Sequence, residues 1–148
     1  MPSRLRAEFQ PRELSEVLDH YDLGVIFQID EQRKGSQRAP KVLITADSGV
    51  FLLKRRASGR DHPLKVAFAH SVQEYLAQND FPLPRLIRTA DDDDTMVIRD
   101  DLIYEMFEVV PGERYDKSHE ATSDAGLVLA RFHELLKAFQ RVIQQTSQ

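Results

Sequence analysis

The sequence predicts an α+β fold built on a small antiparallel sheet, and three features carry that expectation. Short apolar runs of strand length at Val25–Asp30, Lys41–Ala46 and Val50–Arg55 are separated by turn-like or polar segments, which suits an antiparallel meander. Two stretches instead carry apolar residues at helical spacing, Pro63 to Asn79 and a longer one opening at Thr122 or Ser123 and running to Gln145. Between them, Phe81-Pro82-Leu83-Pro84 and Pro111-Gly112 interrupt regular structure, because proline fixes φ and has no N–H to donate.

A chain of 148 residues is expected to form one domain that buries roughly 68–70% of its unfolded surface. Acids outnumber bases 24 to 20, giving a net charge of −4, which argues against a general nucleic-acid binder. The chain has no cysteine, so disulfides and thiolate metal sites are excluded. Met1 to Ser15 has no apolar core of signal-peptide length, and no apolar run approaches the ~20 residues of a membrane span. The expectation is a cytoplasmic protein that contacts neither membrane nor nucleic acid.

In chain order, Pro11 sits at a first-turn position with acids near the positive helix end. Leu14, Val17, Leu18 and Tyr21 follow at helical spacing, and Gly24 offers a stop. Glu31 to Pro40 is polar and basic, hence a loop or hairpin tip, between the first two strands. Gly49 in Asp47-Ser48-Gly49 takes a positive φ cheaply and leads into the third strand. Leu64, Phe68, Val72, Tyr75 and Leu76 form the expected stripe of the middle helix. Arg85–Thr89 and Thr95–Arg99 read as strands around Asp91–Asp94. Asp100-Asp101 reads as a turn and Leu102–Val110 as the last strand. In the terminal helix Ala125, Leu129, Phe132, Leu136, Phe139 and Ile143 form a seam, widened by Val128, Leu135 and Val142.

Lys54 ends an apolar strand, which holds an ammonium at the lip of a core where a phosphate can meet it; a snorkelling surface lysine has the same signature. Asp91–Asp94 reads as a solvated hairpin tip rather than a cation site, since adjacent strand side chains diverge. Lys54, Arg55, Arg56, Arg60 and Lys65 form a basic cluster with no aromatic among them, so a solvated face is expected rather than a nucleic-acid surface.

Five stretches in order resemble the amino-terminal lobe of the aminoglycoside phosphotransferase, choline kinase-like and homoserine kinase-like family, a branch of the protein-kinase-like fold. They are Tyr21-Asp22-Leu23-Gly24, Gly49-Val50-Phe51-Leu52-Leu53-Lys54-Arg55, Tyr75 to Pro84, Leu102 to Gly112, and Gly126 to His133. The resemblance implies a nucleotide-binding small lobe over residues 1–110. Residues 111–148 would be the hinge exit and the long helix that starts a second lobe. It implies ATP as cofactor, with Lys54 neutralising the α- and β-phosphates, since phosphoryl transfer rests on positioning and charge stabilisation. It makes Gly35 and Ser36 backbone donors to the phosphates, places Leu52 or a neighbour on the purine, and has Glu108 and Val110 bond the adenine edge through their backbone. The acid that holds the lysine would come from the following helix. Glu74 is the only acid between Pro63 and Asn79, although it lies about 130° from the apolar stripe, where a solvent-facing glutamate also sits.

The family's His-Gly-Asp catalytic loop, its asparagine and its metal-binding aspartate do not occur in these residues. No catalytic or metal-binding residue is therefore expected in this chain, and magnesium is expected only with the missing lobe. Two functional expectations follow. One is the ATP-binding lobe of a truncated small-molecule phosphotransferase, not catalytic alone, partnered by a separate catalytic lobe or by self-association through Ala125, Leu129, Phe132, Leu136, Phe139 and Ile143. The other is a non-catalytic regulatory module that pairs through its terminal helix.

Overall fold

The structure is a computed structural model that describes residues 5–147; Met1–Arg4 and Gln148 lie outside the described residues. The chain divides into two compact units, Met1–His70 with Pro84–Val109, and Ser71–Leu83 with Val110–Gln148.

The first unit holds α1 (Pro11–Leu18) and five strands: β1 (Ile26–Glu31), β2 (Lys41–Ala46), β3 (Gly49–Arg55), β4 (Val97–Arg99) and β5 (Leu102–Glu108). They form one antiparallel sheet in the order β1-β2-β3-β5-β4, and its first three strands are the expected meander. Turn chemistry fixes the register. Asp47-Ser48 closes β2 to β3 as a two-residue loop, with Ala46 opposite Gly49 at φ 143°. Asp100 and Asp101 have φ of 50° and 61°, the doubly positive geometry of a type I′ turn, and set Arg99 opposite Leu102.

Alternation along β2 and β3 sends Val42, Ile44, Phe51 and Leu53 to one face, where they pack with Val17, Tyr21, Leu23, Tyr104 and Met106. A carboxylate joins α1 to this face. Glu13 accepts from the Gln10 amide at 2.9 Å, the Tyr104 hydroxyl at 2.6 Å and Arg55 Nη1 at 2.5 Å. Burial works against the Glu13 charge, but these three donors and the Arg55 charge outweigh it and hold the carboxyl below its ordinary pKa. Burial first, and then the bond to Glu13, pushes the Tyr104 phenol up to about 12.

Helix α2 (Pro63–Gln78) begins in the first unit and ends in the second. Its buried residues are Val66, His70 and Leu76, whereas Leu64 and Phe68 of the expected stripe are exposed. Leu76 of that stripe is buried and Val72 and Tyr75 are half-buried, so the expected line fails only over the first half of the helix, where Val66 and His70 are buried instead. Val66 and His70 are four residues apart and share a face, and Val66 packs with Met96 and Ile103.

Arg85–Thr89 is not a strand: only Leu86 bridges, to Phe107. The edges of β5 are taken by β3 and β4, and since β4 pairs only with Leu102–Tyr104, just the outer side of Met106–Glu108 remains open. There Ile87 donates to Met106 and Glu108 donates to Arg85, each at 2.8 Å. The expected hairpin around Asp91–Asp94 is thus a loop onto β4, with Asp91 bonded to His20.

The second unit contains α3 (His119–Thr146). The helix starts earlier than expected because Ser118 caps it: Ser118 Oγ accepts from the Ala121 amide, and Thr122 donates its hydroxyl back to the Ser118 carbonyl. Within this unit Phe139 meets Tyr75 with ring centroids 5.0 Å apart, and Phe132 meets Phe81 at 5.6 Å. Among the described residues, no helix is long and apolar enough to cross a membrane.

Candidate functional site

Register, rather than sequence proximity, assembles the first unit's candidate residues. Leu43 lies opposite Leu52, and Leu52 opposite Phe107, so these three form an apolar row across β2, β3 and β5. Two residues along each strand, Lys41, Lys54 and Glu105 form a second row. The rows share a face, because side chains at i and i+2 do, and stand about 7 Å apart. They lie on the side opposite the Val42, Leu53 and Met106 core. Leu43, Leu52, Phe107, Lys41 and Lys54 are all half-buried.

Glu105 is fully buried, and His70 and Arg56 surround its carboxylate. His70 Nε2 lies 2.6 Å from Oε2 and Nδ1 2.9 Å from Thr95 Oγ1, so both ring nitrogens of this buried histidine are satisfied. Arg56 Nη2 donates to Oε2 at 3.2 Å, and Arg56 Nε sits 2.5 Å from Oε1. Burial favours the neutral carboxylic acid, but the bonds from His70 and Arg56 and their charges prevail and keep Glu105 below its ordinary pKa. Burial, and then the charges of Glu105, Asp94 and Asp91, pushes the Tyr21 phenol upward.

Lys54 therefore stands beside an acid already engaged by Arg56 and His70. Among the described residues, the Lys54 ammonium enters no hydrogen bond or ion pair. Arg55 and Arg56 do not belong to a solvated basic face, contrary to the sequence reading. Arg55, the last residue of β3, pairs with buried Glu13, and Arg56, just beyond the strand, pairs with buried Glu105.

The loop between β1 and β2 is held from several sides. Lys41 Nζ donates to the Lys34 carbonyl at 2.8 Å, the Arg38 amide donates to Ser36 Oγ, and Ala7 donates to the Gln37 carbonyl at 3.0 Å. Gly35 is favoured by its φ of 91°, and a Cβ there would approach the mobile end of Lys41, with Nζ at 2.9 Å. Ser36 thus uses its hydroxyl inside the loop.

Glu108 is exposed, and its amide already donates to the Arg85 carbonyl. Glu74, on the second half of α2, and Val110 belong to the second unit. In that unit Phe132, Leu136 and Phe139 of the expected seam are half-buried, while Ala125, Leu129 and Ile143 are exposed. No group of three or more His, Asp or Glu side chains is placed to hold a metal ion among the described residues.

Lys41, Arg56, His70, Thr95 and Glu105 were missed as a constellation by sequence reasoning. One signal was present: a glutamate interrupts the apolar run Ile103-Tyr104-Glu105-Met106-Phe107.

A five-stranded antiparallel sheet whose third strand ends in an accessible lysine, followed by a crossing helix, defines the small lobe of the kinase-like fold. Two solved structures share it. An aminoglycoside phosphotransferase from Alicyclobacillus acidocaldarius subsp. acidocaldarius DSM 446 superposes with a TM-score of 0.68 at 22% identity, over 90% of this chain and 37% of that one. A spectinomycin phosphotransferase in complex with ADP and spectinomycin gives 0.57 at 12% identity, over 75% and 32%. The present chain spans about a third of the length of these structures. The family described as phosphotransferase enzymes matches residues 31–147, and the chain belongs to it. No curated protein matches.

Proposed function

We propose that this chain is the ATP-binding lobe of a small-molecule phosphotransferase and does not transfer a phosphoryl group alone. The observation that carries the reading is the pair of adjacent rows. The half-buried apolar row Leu43–Leu52–Phe107 offers a purine a flat surface, and about 7 Å away Lys54 presents an ammonium with no protein partner. ATP, when bound, supplies the phosphoryl group. Leu52 and its neighbours exclude water from the base, the Glu108 carbonyl accepts from its amino group, and Lys54 neutralises phosphate charge. Glu105 remains an anion beneath Lys54 because His70 and Arg56 hold it there. Gly35 and Ser36 contribute amides from the loop. A general base and the ligands for magnesium would be supplied by groups outside the described residues.

Titration calorimetry with magnesium-ATP and with adenosine tests this. Lys54→Met is expected to weaken ATP binding by roughly 10–100-fold, the loss of a charge-assisted hydrogen bond, while leaving adenosine unaffected. Equal ATP affinity in both proteins would sink the assignment.

A regulatory module that pairs through α3 is the second reading. It is favoured by the exposure of Leu127, Leu129 and Val142 on a helix with no fully buried residue. Self-association that disappears in Leu129→Glu/Val142→Glu would support it.

A further inference from the structure

We infer that Lys41 is a second phosphate-binding cation, held on the β1–β2 loop until a polyphosphate draws it across to Lys54. This rests on the nucleotide reading above and deepens it.

Lys41 and Lys54 are directly opposed on β2 and β3, on the same face. Like charges in that position repel one another, with Cβ atoms about 5 Å apart, and natural sheets usually avoid the arrangement. Two features of this sheet fail to relieve it. Glu105, the third member of the row, has its carboxylate engaged by His70 and Arg56. Arg56, two residues beyond Lys54, adds another cation to the face, so three cations share one carboxylate. Lys41 escapes by turning its ammonium up to the Lys34 carbonyl, 2.8 Å away, directly beneath Gly35. Lys54 has no comparable escape.

A neutral carbonyl is a weaker acceptor for an ammonium than a phosphate oxygen. An anion between the two lysines would therefore remove their repulsion and compete for the Lys34 bond. Gly35 has no side chain between Lys41 Nζ and the loop backbone, so a phosphate drawn to this ammonium also comes within reach of the neighbouring amides. The row places both lysines at the same end, away from Leu43 and Leu52, and so at the phosphate end of any nucleotide whose base lies on the apolar row. The ligand class is a nucleoside di- or triphosphate; a monophosphate or nucleoside gains little from Lys41.

The experiment is titration of adenosine, AMP, ADP and ATP into the full chain and into Lys41→Met, Lys41→Arg and Lys54→Met. Lys41→Met is expected to weaken ATP and ADP by on the order of 10-fold, leave adenosine unchanged and flatten the rise in affinity with phosphate number. Lys41→Arg should recover most of the loss, because it restores the charge and not the original loop contact. Circular dichroism melts establish that each variant is folded, and adenosine binding establishes that the base platform is intact. ATP binding weakened in Lys54→Met but unchanged in Lys41→Met overturns this inference and leaves the nucleotide reading standing. Wild-type affinity that does not rise with phosphate number overturns both. Loss of adenosine binding in Lys41→Met also overturns it, since Lys41 would then support the loop rather than meet phosphate.

Discussion

Truncating Glu105 tests whether the acid beneath Lys54 is a buried, ion-paired anion. Glu105→Ala would leave His70 Nε2, inaccessible to water, without its acceptor, and would take from Arg56 a partner at 2.5 Å while its own side chain is 21% exposed. Removing one member of a buried ion pair costs about 3–5 kcal/mol. Arg56 keeps some solvent and a 3.3 Å bond to the Arg60 carbonyl, so we place the loss at the low end, about 3 kcal/mol. Against a total stability of roughly 5–15 kcal/mol, that is a fifth to over half of the fold's margin. Glu105→Gln preserves volume and one acceptor oxygen but loses the charge, and should cost about 1–2 kcal/mol. Arg56→Met/Glu105→Met should lose less than the sum of its single variants, because neither charge is then left buried alone. Urea denaturation followed by circular dichroism measures each as a shift of midpoint at constant slope. A loss below about 1 kcal/mol for Glu105→Ala would refute the reasoning, since a carboxylate so easily removed cannot be desolvated and paired.

Two further outcomes follow from particular residues. Glu13 and Glu105 both have pKa values lowered by folding, so their contribution is complete above the ordinary glutamate value of 4.5 and is lost as pH falls below it; Tyr104, raised to about 12, contributes below pH 10 and loses that contribution as pH climbs toward 12. Thermal midpoints across pH 2–12 should therefore fall at both ends, and Glu13→Gln should blunt the acid limb; a flat profile below pH 4.5 would contradict the pairing. Asp101 holds φ at 61° in the β4–β5 turn, so Asp101→Gly should raise stability by up to ~1 kcal/mol in the same denaturation assay, and a decrease would show that its side chain matters more than its backbone.

The fold was legible wherever local chemistry decides it. Asp47-Ser48-Gly49 and Asp100-Asp101 announce turns, Pro11 and Pro63 open helices, and the alternation of β2 was readable without a partner. Arg85–Thr89 misled because Leu86-Ile87 between turn residues looks like a short strand, but the segment runs beside only the outer end of β5, where Leu86 alone bridges to Phe107. The first half of the stripe on α2 misled because burial was assigned by hydropathy. His70 is buried by satisfaction instead: Thr95 and Glu105 provide both its partners, and both lie more than twenty residues away in sequence.

The candidate site shows the same limit more sharply. Lys54, Leu52 and Gly35 each carry a local mark: a strand-end cation, an apolar neighbour on the same face, a lone glycine in a polar loop. Glu105 and Lys41 carry theirs only through pairing. Period-2 alternation says which face a residue takes within its own strand, but it leaves open which residue of another strand stands opposite. That choice is made by the two-residue turns. With Ala46 set opposite Gly49, counting back places Lys41 opposite Lys54, and a one-residue change in that loop would send one of the two lysines to the other face. The opposition of Lys41 and Lys54 is thus set by Asp47 and Ser48, whereas Glu105 joins the row only through the long-range pairing of β3 with β5.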